Sequence, residues 1–349
     1  MNRAELRTTF LFADGGAREA LLRPDTSVLE GAIAQNLPIL YQCKSGSCGT
    51  CVAQLLEGDA PMREDRATSL LPSEKAQGKR LLCSTQIRSP CTFALDYASD
   101  IGGVPAQKVQ AFIDKIELLA ADVVRLHVEL AEGCWLDFKP GQFIQVTVPG
   151  TGKARRYSMA SPPGHLPRIE LLIRLLPNGL MSTYVSERAA IDDVLEIAGP
   201  FGSFLLHEKV SAPHILIAGG TGLAPLMSML DVLRAAPGKK PQILLSFGCA
   251  TRERLFFCDE IERRQFWLPS LQARISIGRG EPSAAVRIGN PVQAITTDDV
   301  RDPDTVAYLC GPPAMIASAH DHLCRLGVAP KNIFNEQFVA SEISAVAGV

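Results

Sequence analysis

The chain has 349 residues, 35 of them basic and 37 acidic, for a formal net charge of −2, so charge gives it no pull toward nucleic acid or an anionic membrane surface. With 46% hydrophobic and 21% charged residues it reads as globular rather than disordered, and it has room for roughly two or three domains, each with its own core. The opening MNRAELRTTFLFADGG lacks a continuous apolar signal segment and no run is long and apolar enough to cross a membrane, so a soluble, cytoplasmic protein is expected. Its ten cysteines then point to metal or redox chemistry rather than a disulfide framework.

In chain order, residues 1–97 contain short β-type stretches, TTFLF, REALL, CVAQLLEG and CTFALDY, around TSVLEGAIAQN. There Thr26 or Ser27 caps a helix that turns Leu29, Ile33 and Leu37 inward, which predicts a small α+β domain. Gly102, Gly103 and Pro105 break both periodicities and mark a linker over residues 98–106. Residues 107–208 carry β-branched or alternating runs, VVRLHVEL, GQFIQVTV, IELLIRLL and DVLEIAGP, with a helix near LMSTYVSER; this is the strand spacing of a β-barrel or sandwich. Over 209–349, strand and helix alternate: HILIAG, LAPLMSMLDVLRAA, QILLSFG, LFFCDEIERR, ARISIG, TVAYLCG, PAMIASAHDHLCRLG and NIFNEQF. That order predicts a parallel sheet covered by helices.

CKSGSCGTC places Cys43, Cys48 and Cys51 at C-x4-C-x2-C spacing, with Cys83 in LLCST as a distant fourth thiol. Thiolates are soft ligands for zinc or iron–sulfur clusters, and this spacing is that of plant-type [2Fe–2S] sites. Structural zinc usually pairs C-x2-C units at both ends, and Cys83 has no such companion. Gly46 and Gly49 let the backbone bend so that amide N–H groups can reach sulfur. Cys91, on a strand, together with Cys134, Cys249, Cys258 and Cys324, reads most simply as a core thiol.

RRYSMAS, residues 155–161, offers a guanidinium for a pyrophosphate, an aromatic face for a ring and hydroxyls for ring nitrogens; a solvated arginine pair beside a surface tyrosine is the plain alternative. NGLMSTYV puts Gly179 and Ser182 where a helix begins, a position that favours phosphate. HILIAGGTGLAPLMSML is a buried strand running into Gly219, Gly220, Thr221 and Gly222 and then a helix, which suits a dinucleotide pyrophosphate although it departs from G-x-G-x-x-G. YLCGPPAMI ends a strand at Cys310 and Gly311, with Pro312 and Pro313 opening a helix where proline is best tolerated.

Together CKSGSCGTC, LLCST, RRYS, GGTGLAP and CGPP resemble the oxygenase-reductase family. These are the ferredoxin–NADP+ reductase-like electron-transfer components of aromatic-ring dioxygenases and multicomponent monooxygenases, such as the reductases of benzoate dioxygenase, methane monooxygenase and phenol hydroxylase. The resemblance covers essentially the whole chain. It implies a β-grasp ferredoxin domain, an antiparallel β-barrel that binds FAD and an α/β nucleotide-binding domain. Cys43, Cys48, Cys51 and Cys83 would hold the cluster. Arg155, or its neighbour Arg156, would meet the FAD pyrophosphate, Tyr157 would lie against the isoalloxazine and Ser158 would approach flavin N5. Gly179, Met181 and Ser182 match the second FAD phosphate contact. Gly219, Gly220, Thr221, Gly222 and Pro225 match the nucleotide loop, and Cys310, Gly311 and Pro312 would lie near the nicotinamide. In FNEQF, Glu336 and Phe338 stand where relatives bring a residue to the flavin face.

The implied activity is electron transfer from NADH through FAD and a [2Fe–2S] cluster to a terminal oxygenase or an intermediate ferredoxin, by a monomer. A non-catalytic nucleotide-binding redox or metal sensor is the alternative from a different class. NADH is expected over NADPH, because Arg252, Arg254 and Arg279 do not cluster in one strand-end motif.

Overall fold

The computed structural model describes residues 4–63, 69–101, 106–207 and 211–338; Gly102, Gly103 and Pro105 of the expected linker, and the last residues from 339 on, lie outside them. The chain divides into two compact units, Met1–Gln107 with Gly199–Leu205, and Lys108–Ala198 with Leu206–Val349.

In the first unit, β1 (Leu6–Leu11), β2 (Ala17–Leu22), α1 (Val28–Ala34), β3 (Val52–Glu57), α2 (Pro72–Ala76), β4 (Lys79–Leu81) and β5 (Cys91–Ala94) build a sheet in the order β2-β1-β5-β3-β4. β1 is antiparallel to β2 but parallel to β5, the mixed order of a β-grasp. Ser27, not Thr26, caps α1: its hydroxyl accepts the Glu30 N–H at 3.2 Å while Glu30 Oε2 accepts the Ser27 N–H at 3.1 Å, a capping box worth roughly 1 kcal/mol. The helix thereby lays Val28, Leu29 and Ala32 onto a core containing Phe10, Phe93 and Tyr97, with Ile33 and Leu37 partly buried beside them. Burying a side chain of Leu29's size contributes roughly 1.5–3 kcal/mol. Cys83 sits in a short 3-10 turn, Leu82–Ser84, directly after β4, an element too brief for sequence periodicity to reveal.

The second unit begins with strands β6 (Gln107–Ala120), β7 (Val123–Leu130), β8 (Phe143–Thr147), β9 (Ala154–Ser158) and β10 (Arg168–Arg174), then α3 (Leu180–Glu187) and β11 (Val194–Phe201), in the sheet order β10-β7-β6-β11-β8-β9. Met159, just past β9, bridges Leu171 of β10, and the Ala160 N–H donates to the Glu170 carbonyl at 2.8 Å, so the sheet closes into a barrel. Along β7 the alternation is direct: Val124, Leu126, Val128 and Leu130 are buried in the barrel core, while Arg125, His127 and Glu129 point outward.

The α/β part comprises β12 (His214–Gly219), α4 (Leu223–Ala235), β13 (Ile243–Cys249), α5 (Cys258–Trp267), β14 (Leu271–Ile277), β15 (Val286–Ile288), β16 (Val306–Gly311), α6 (Pro313–Leu326) and β17 (Ile333–Gln337). Its sheet is parallel in the order β15-β14-β13-β12-β16-β17. The chain winds outward from β12 to β15 and then returns to β16, so the switch point lies between β12 and β16, where such sheets bind ligands. The run LFFCDEIERR is not helical from its start. Phe257 adopts φ +60° and caps α5 from outside, because Phe256 and Phe257 are buried and a left-handed turn is what aims both rings inward ahead of the helix.

Candidate redox site

The cluster loop turns left-handed at Lys44, Gly46 and Gly49, with φ of 53°, 84° and 74°, which folds the chain back between its cysteines. Cys51 and Cys83 are 2% and 4% exposed, whereas Cys43 and Cys48 are only half-buried. The thiols meet two by two. Cys48 hydrogen-bonds Cys43 and, against the effect of burial, pulls its pKa down to about 3, helped by Ser45 and Ser47; Cys48 itself is pushed up, by Cys43 first and burial second. Cys51 is likewise pushed well up by its hydrogen bond with Cys83. The Ser45 N–H points at Cys43 Sγ at 3.4 Å. Among the described residues, no three Cys, His, Asp or Glu side chains close on one ion; two thiol pairs instead suit a centre with two irons and two thiolates at each. Cys91 stands apart, with Sγ 3.2 Å from the Ser89 carbonyl, as a core thiol should.

On β9, successive side chains take opposite faces, so Arg155 and Tyr157 share one face and Arg156 and Ser158 the other. Tyr157 packs against the barrel core, and burial pushes its hydroxyl up. The Ser158 hydroxyl donates to Glu336 Oε2 at 2.8 Å. Glu336 lies opposite Cys310 in the β16–β17 register, so a barrel strand and two strands of the parallel sheet converge on one polar cluster. Cys310 is 0% exposed, and its thiol is pushed far up, by burial first and the Glu336 charge second. Glu336 is half-buried, and desolvation of its carboxyl raises it to about 7, against the Ser158 hydrogen bond and the nearby Arg156. Phe338 is anchored by its N–H to the Gly311 carbonyl at 2.8 Å.

A glutamate that titrates near 4.5 when unfolded and near 7 when folded favours the folded state when protonated. That contribution is fully present below the unfolded value and is lost as pH rises through 7. The Tm is therefore expected to fall between pH 5 and 7.5, and Glu336→Gln, which mimics the neutral acid, is expected to flatten that slope when Tm is measured by calorimetry. Equal slopes in the two proteins would refute the shift.

At the switch point, the loops after β12 and β16 touch backbone to backbone. A Cβ on Gly222 would stand 2.3 Å from the Cys310 carbonyl oxygen, and one on Gly311 would stand 3.1 Å from Gly219 N. On Gly219 it would meet Met315 Sδ at 2.7 Å and Pro312 Cδ at 2.9 Å. Close packing of the two loops, and not only access to a pyrophosphate, thus demands these glycines. Gly220 differs: φ is +56° and nothing lies within 4 Å. Thr221 is buried, and Pro225 is the third residue of α4, where it breaks no helical hydrogen bond. Pro312 caps α6 and Pro313 is its first residue.

At α3, Gly179 is the N-cap. The Ser182 hydroxyl accepts the Leu176 N–H at 2.8 Å, and Met181 is buried in the barrel core. Thr183 N–H makes the first bond back to Gly179, so what the first turn offers a phosphate is the backbone N–H groups of residues 180–182. Sequence reasoning missed Arg156 as a neighbour of Glu336; the strand alternation of RRYS was the available signal.

Three family models match the chain: the 2Fe-2S iron-sulfur cluster binding domain over residues 11–88, the oxidoreductase FAD-binding domain over 110–205 and the oxidoreductase NAD-binding domain over 216–321. The reductase component of propane 2-monooxygenase from Rhodococcus jostii is 32% identical, over 90% of this chain and 87% of that one. The toluate 1,2-dioxygenase electron transfer component of Pseudomonas putida is 30% identical, over 95% and 97%. Among solved structures, the Amycolatopsis reductase GcoB superposes with a TM-score of 0.70 at 28% identity, covering 96% of this chain and 99% of that one. A nicotinamide yields two electrons together as hydride, a [2Fe–2S] cluster accepts one at a time and a flavin does both. The three domains therefore form one electron path, and the chain belongs to the reductase, or electron-transfer, components of oxygenase systems, as an NADH-dependent oxidoreductase carrying FAD and a [2Fe–2S] cluster.

Proposed function

We propose that the four thiols Cys43, Cys48, Cys51 and Cys83 ligate the cluster and that Ser158, Cys310 and Glu336 form the hydride-transfer site between flavin and nicotinamide. The observation that carries this is the 2.8 Å hydrogen bond joining Ser158 of the barrel to Glu336 of the nucleotide sheet, beside Cys310 at the switch point. Arg155, on the Tyr157 face of β9, pairs with the FAD pyrophosphate, while Arg156 faces Glu336 and offsets its charge. Tyr157 supports the flavin ring, and Met181 and Ser182, just past the N-cap Gly179, present backbone N–H groups to its second phosphate. Gly219, Gly220, Thr221, Gly222 and Pro225 hold the NADH pyrophosphate. Cys310, Gly311 and Pro312 border the nicotinamide, and Phe338 screens the flavin face from water. Glu336 holds a proton near neutral pH and exchanges it through Ser158 Oγ.

The domains run 1–97, 107–208 and 209–349 around a linker at 98–106. The acceptor is a terminal oxygenase, either a Rieske dioxygenase or a diiron monooxygenase, reached directly or through a separate ferredoxin. A cytoplasmic monomer suits ligand thiols that must stay reduced until the cluster is assembled. The test is the visible spectrum of the purified protein, in which flavin and iron–sulfur bands must both appear and bleach on adding NADH. A protein without flavin bands would favour the sensor reading.

Two further results are expected. Tyr157→Ala removes a ring face contributing roughly 0.5–1.5 kcal/mol, so FAD should dissociate several-fold more readily in equilibrium dialysis; unchanged retention would count against the flavin assignment of β9. NADH should exceed NADPH in kcat/KM, since Arg254 is engaged by Asp122 at 3.3 Å and Arg252 by the Glu281 carbonyl at 3.2 Å, leaving neither guanidinium turned wholly to a 2′-phosphate. A preference for NADPH would overturn that choice.

A further inference from the structure

Hydride passes only when donor and acceptor atoms stand about 3–3.5 Å apart, yet in this chain the flavin motif is on the barrel and the nicotinamide motif on the parallel sheet. Something must hold the two parts in register. Ser158–Glu336 does so at the site itself; a second, larger polar seam lies along β7.

Arg125 points outward from β7, and its side chain is 13% exposed. Its Nε and Nη2 donate to Glu117 Oε2 of β6 at 2.9 and 2.6 Å, and its Nη1 donates to Glu260 Oε1 of α5 at 2.8 Å. Glu170 of β10 lies 3.6 Å away, and the guanidinium sits over the Phe257 ring at 5.0 Å. The chain of bonds continues. Glu260 Oε2 accepts from Arg264 Nη1 at 3.0 Å, and Arg264 grips Asp231 of α4 with Nε at 3.1 Å and Nη2 at 2.8 Å. α4 follows Gly220–Gly222 without a break, so the relay ends on the helix that presents the nucleotide loop. Burial would raise Glu260, but Arg125 and Arg264 outweigh it and hold the carboxyl below its ordinary range. Beside this seam, the Ala121 N–H donates to the Glu253 carbonyl at 2.9 Å, and Asp122 joins Arg174 of β10 to Arg254 at 3.4 and 3.3 Å.

We propose that Arg125 is a positioning residue for hydride transfer, which fixes the nucleotide loop against the flavin barrel through Glu260, Arg264 and Asp231. The proposal rests on the assignment of the flavin to the barrel and the nicotinamide to the β12–β16 switch point. The planar fork is what serves: one guanidinium spans carboxylates on β6 and α5 at once, which a lysine cannot do with the same geometry. Without it, Glu260 keeps Arg264 at 3.0 Å and Arg263 at 3.5 Å, both on its own helix, and among the described residues nothing cationic links it to Glu117 and Glu170 on the barrel. Lys115 and His127 reach only Glu117 and Glu170, at 3.4 to 3.8 Å, and neither reaches α5.

The experiment uses the full-length holoprotein. In stopped flow, Arg125→Gln should slow flavin reduction by saturating NADH about 10- to 100-fold, with KM nearly unchanged. The flavin content and the cluster spectrum should match wild type, and the long-wavelength charge-transfer band between NAD+ and reduced flavin should weaken. Arg125→Lys should recover part of the rate. Glu260→Gln should also slow the step, and adding it to Arg125→Gln should cost less than its effect alone. A flavin-loaded Arg125→Gln protein reducing its flavin within about twofold of wild type would overturn the proposal; so would a loss appearing wholly in KM, or one fully explained by missing FAD. Should Arg125→Gln not fold, Arg125→Lys and Glu260→Gln decide by the same measurements. Wild-type protein that binds FAD but shows no charge-transfer band with NAD+ would instead count against the site assignment beneath the proposal.

Discussion

Replacing Cys48 with serine is expected to abolish electron delivery to the oxygenase while leaving NADH oxidation with ferricyanide near the wild-type rate. Serine puts a harder, poorly ionised oxygen where iron requires thiolate. Cys48 lies beside Cys43 in the more exposed of the two thiol pairs, so the substitution leaves that pair with a single thiolate. The cluster should disappear from the visible spectrum, leaving flavin bands alone. The barrel and the parallel sheet keep their own cores in the other compact unit, so FAD reduction has no need of residues near the cysteine loop. Ferricyanide takes electrons from the flavin directly, whereas cytochrome c or an oxygenase draws them through the cluster. Wild-type reduction of the oxygenase by the Cys48→Ser protein would remove the cluster from the electron path.

Gly222→Ala is expected to damage the opposite end of the path. The residue has φ −60°, a value alanine accepts, so backbone strain plays no part and the effect is purely one of packing. The added methyl would stand 2.3 Å from the Cys310 oxygen, 2.5 Å from its carbonyl carbon and 2.8 Å from Gly311 N. All three are main-chain atoms, so no side chain can swing aside, and the loop after β12 must move away from the end of β16. Such overpacking costs roughly 1–3 kcal/mol of stability, and a shift of about 1 Å at a reacting centre can cost about 100-fold in rate. We expect flavin reduction by NADH to fall by about two orders of magnitude with FAD retained. Gly220→Ala, which incurs left-handed strain but no clash, should lose less. A Gly222→Ala protein with wild-type hydride transfer would show that the two loops need not touch.

What the sequence determined by itself is the chemistry that depends on local spacing and period. Cysteines three and five residues apart on a glycine-rich loop can meet in only a few ways, so their ligand character is readable before any fold is known. The helix cap was narrowed to Thr26 or Ser27, and the glutamate three residues after Ser27 was already in the chain to decide it. Alternation along VVRLHVEL announced a strand of the barrel, β7. Proline after CG at a strand end announced the start of α6. Each of these signals is carried by neighbours within one or two turns, where backbone geometry alone relates the side chains.

Only the tertiary structure decided the rest, because the relevant partners are far apart in the chain and meet through strand order. Ser158 and Glu336 are separated by 178 positions, and Arg125 and Glu260 by 135. The alternation in VVRLHVEL says nothing of α5, the helix whose Glu260 meets Arg125. The glycines of GGTG looked like phosphate-binding glycines in the sequence; the fold shows Gly219 and Gly222 pressed against the strand end at Cys310, Gly311 and Pro312, a constraint set by a loop about ninety residues away. The acidity of Glu336 near 7 likewise belongs to no motif. It arises because β17 is laid beside β16 near a barrel strand, and the partial burial so formed disfavours charge on a carboxyl that would be fully ionised at neutral pH in water.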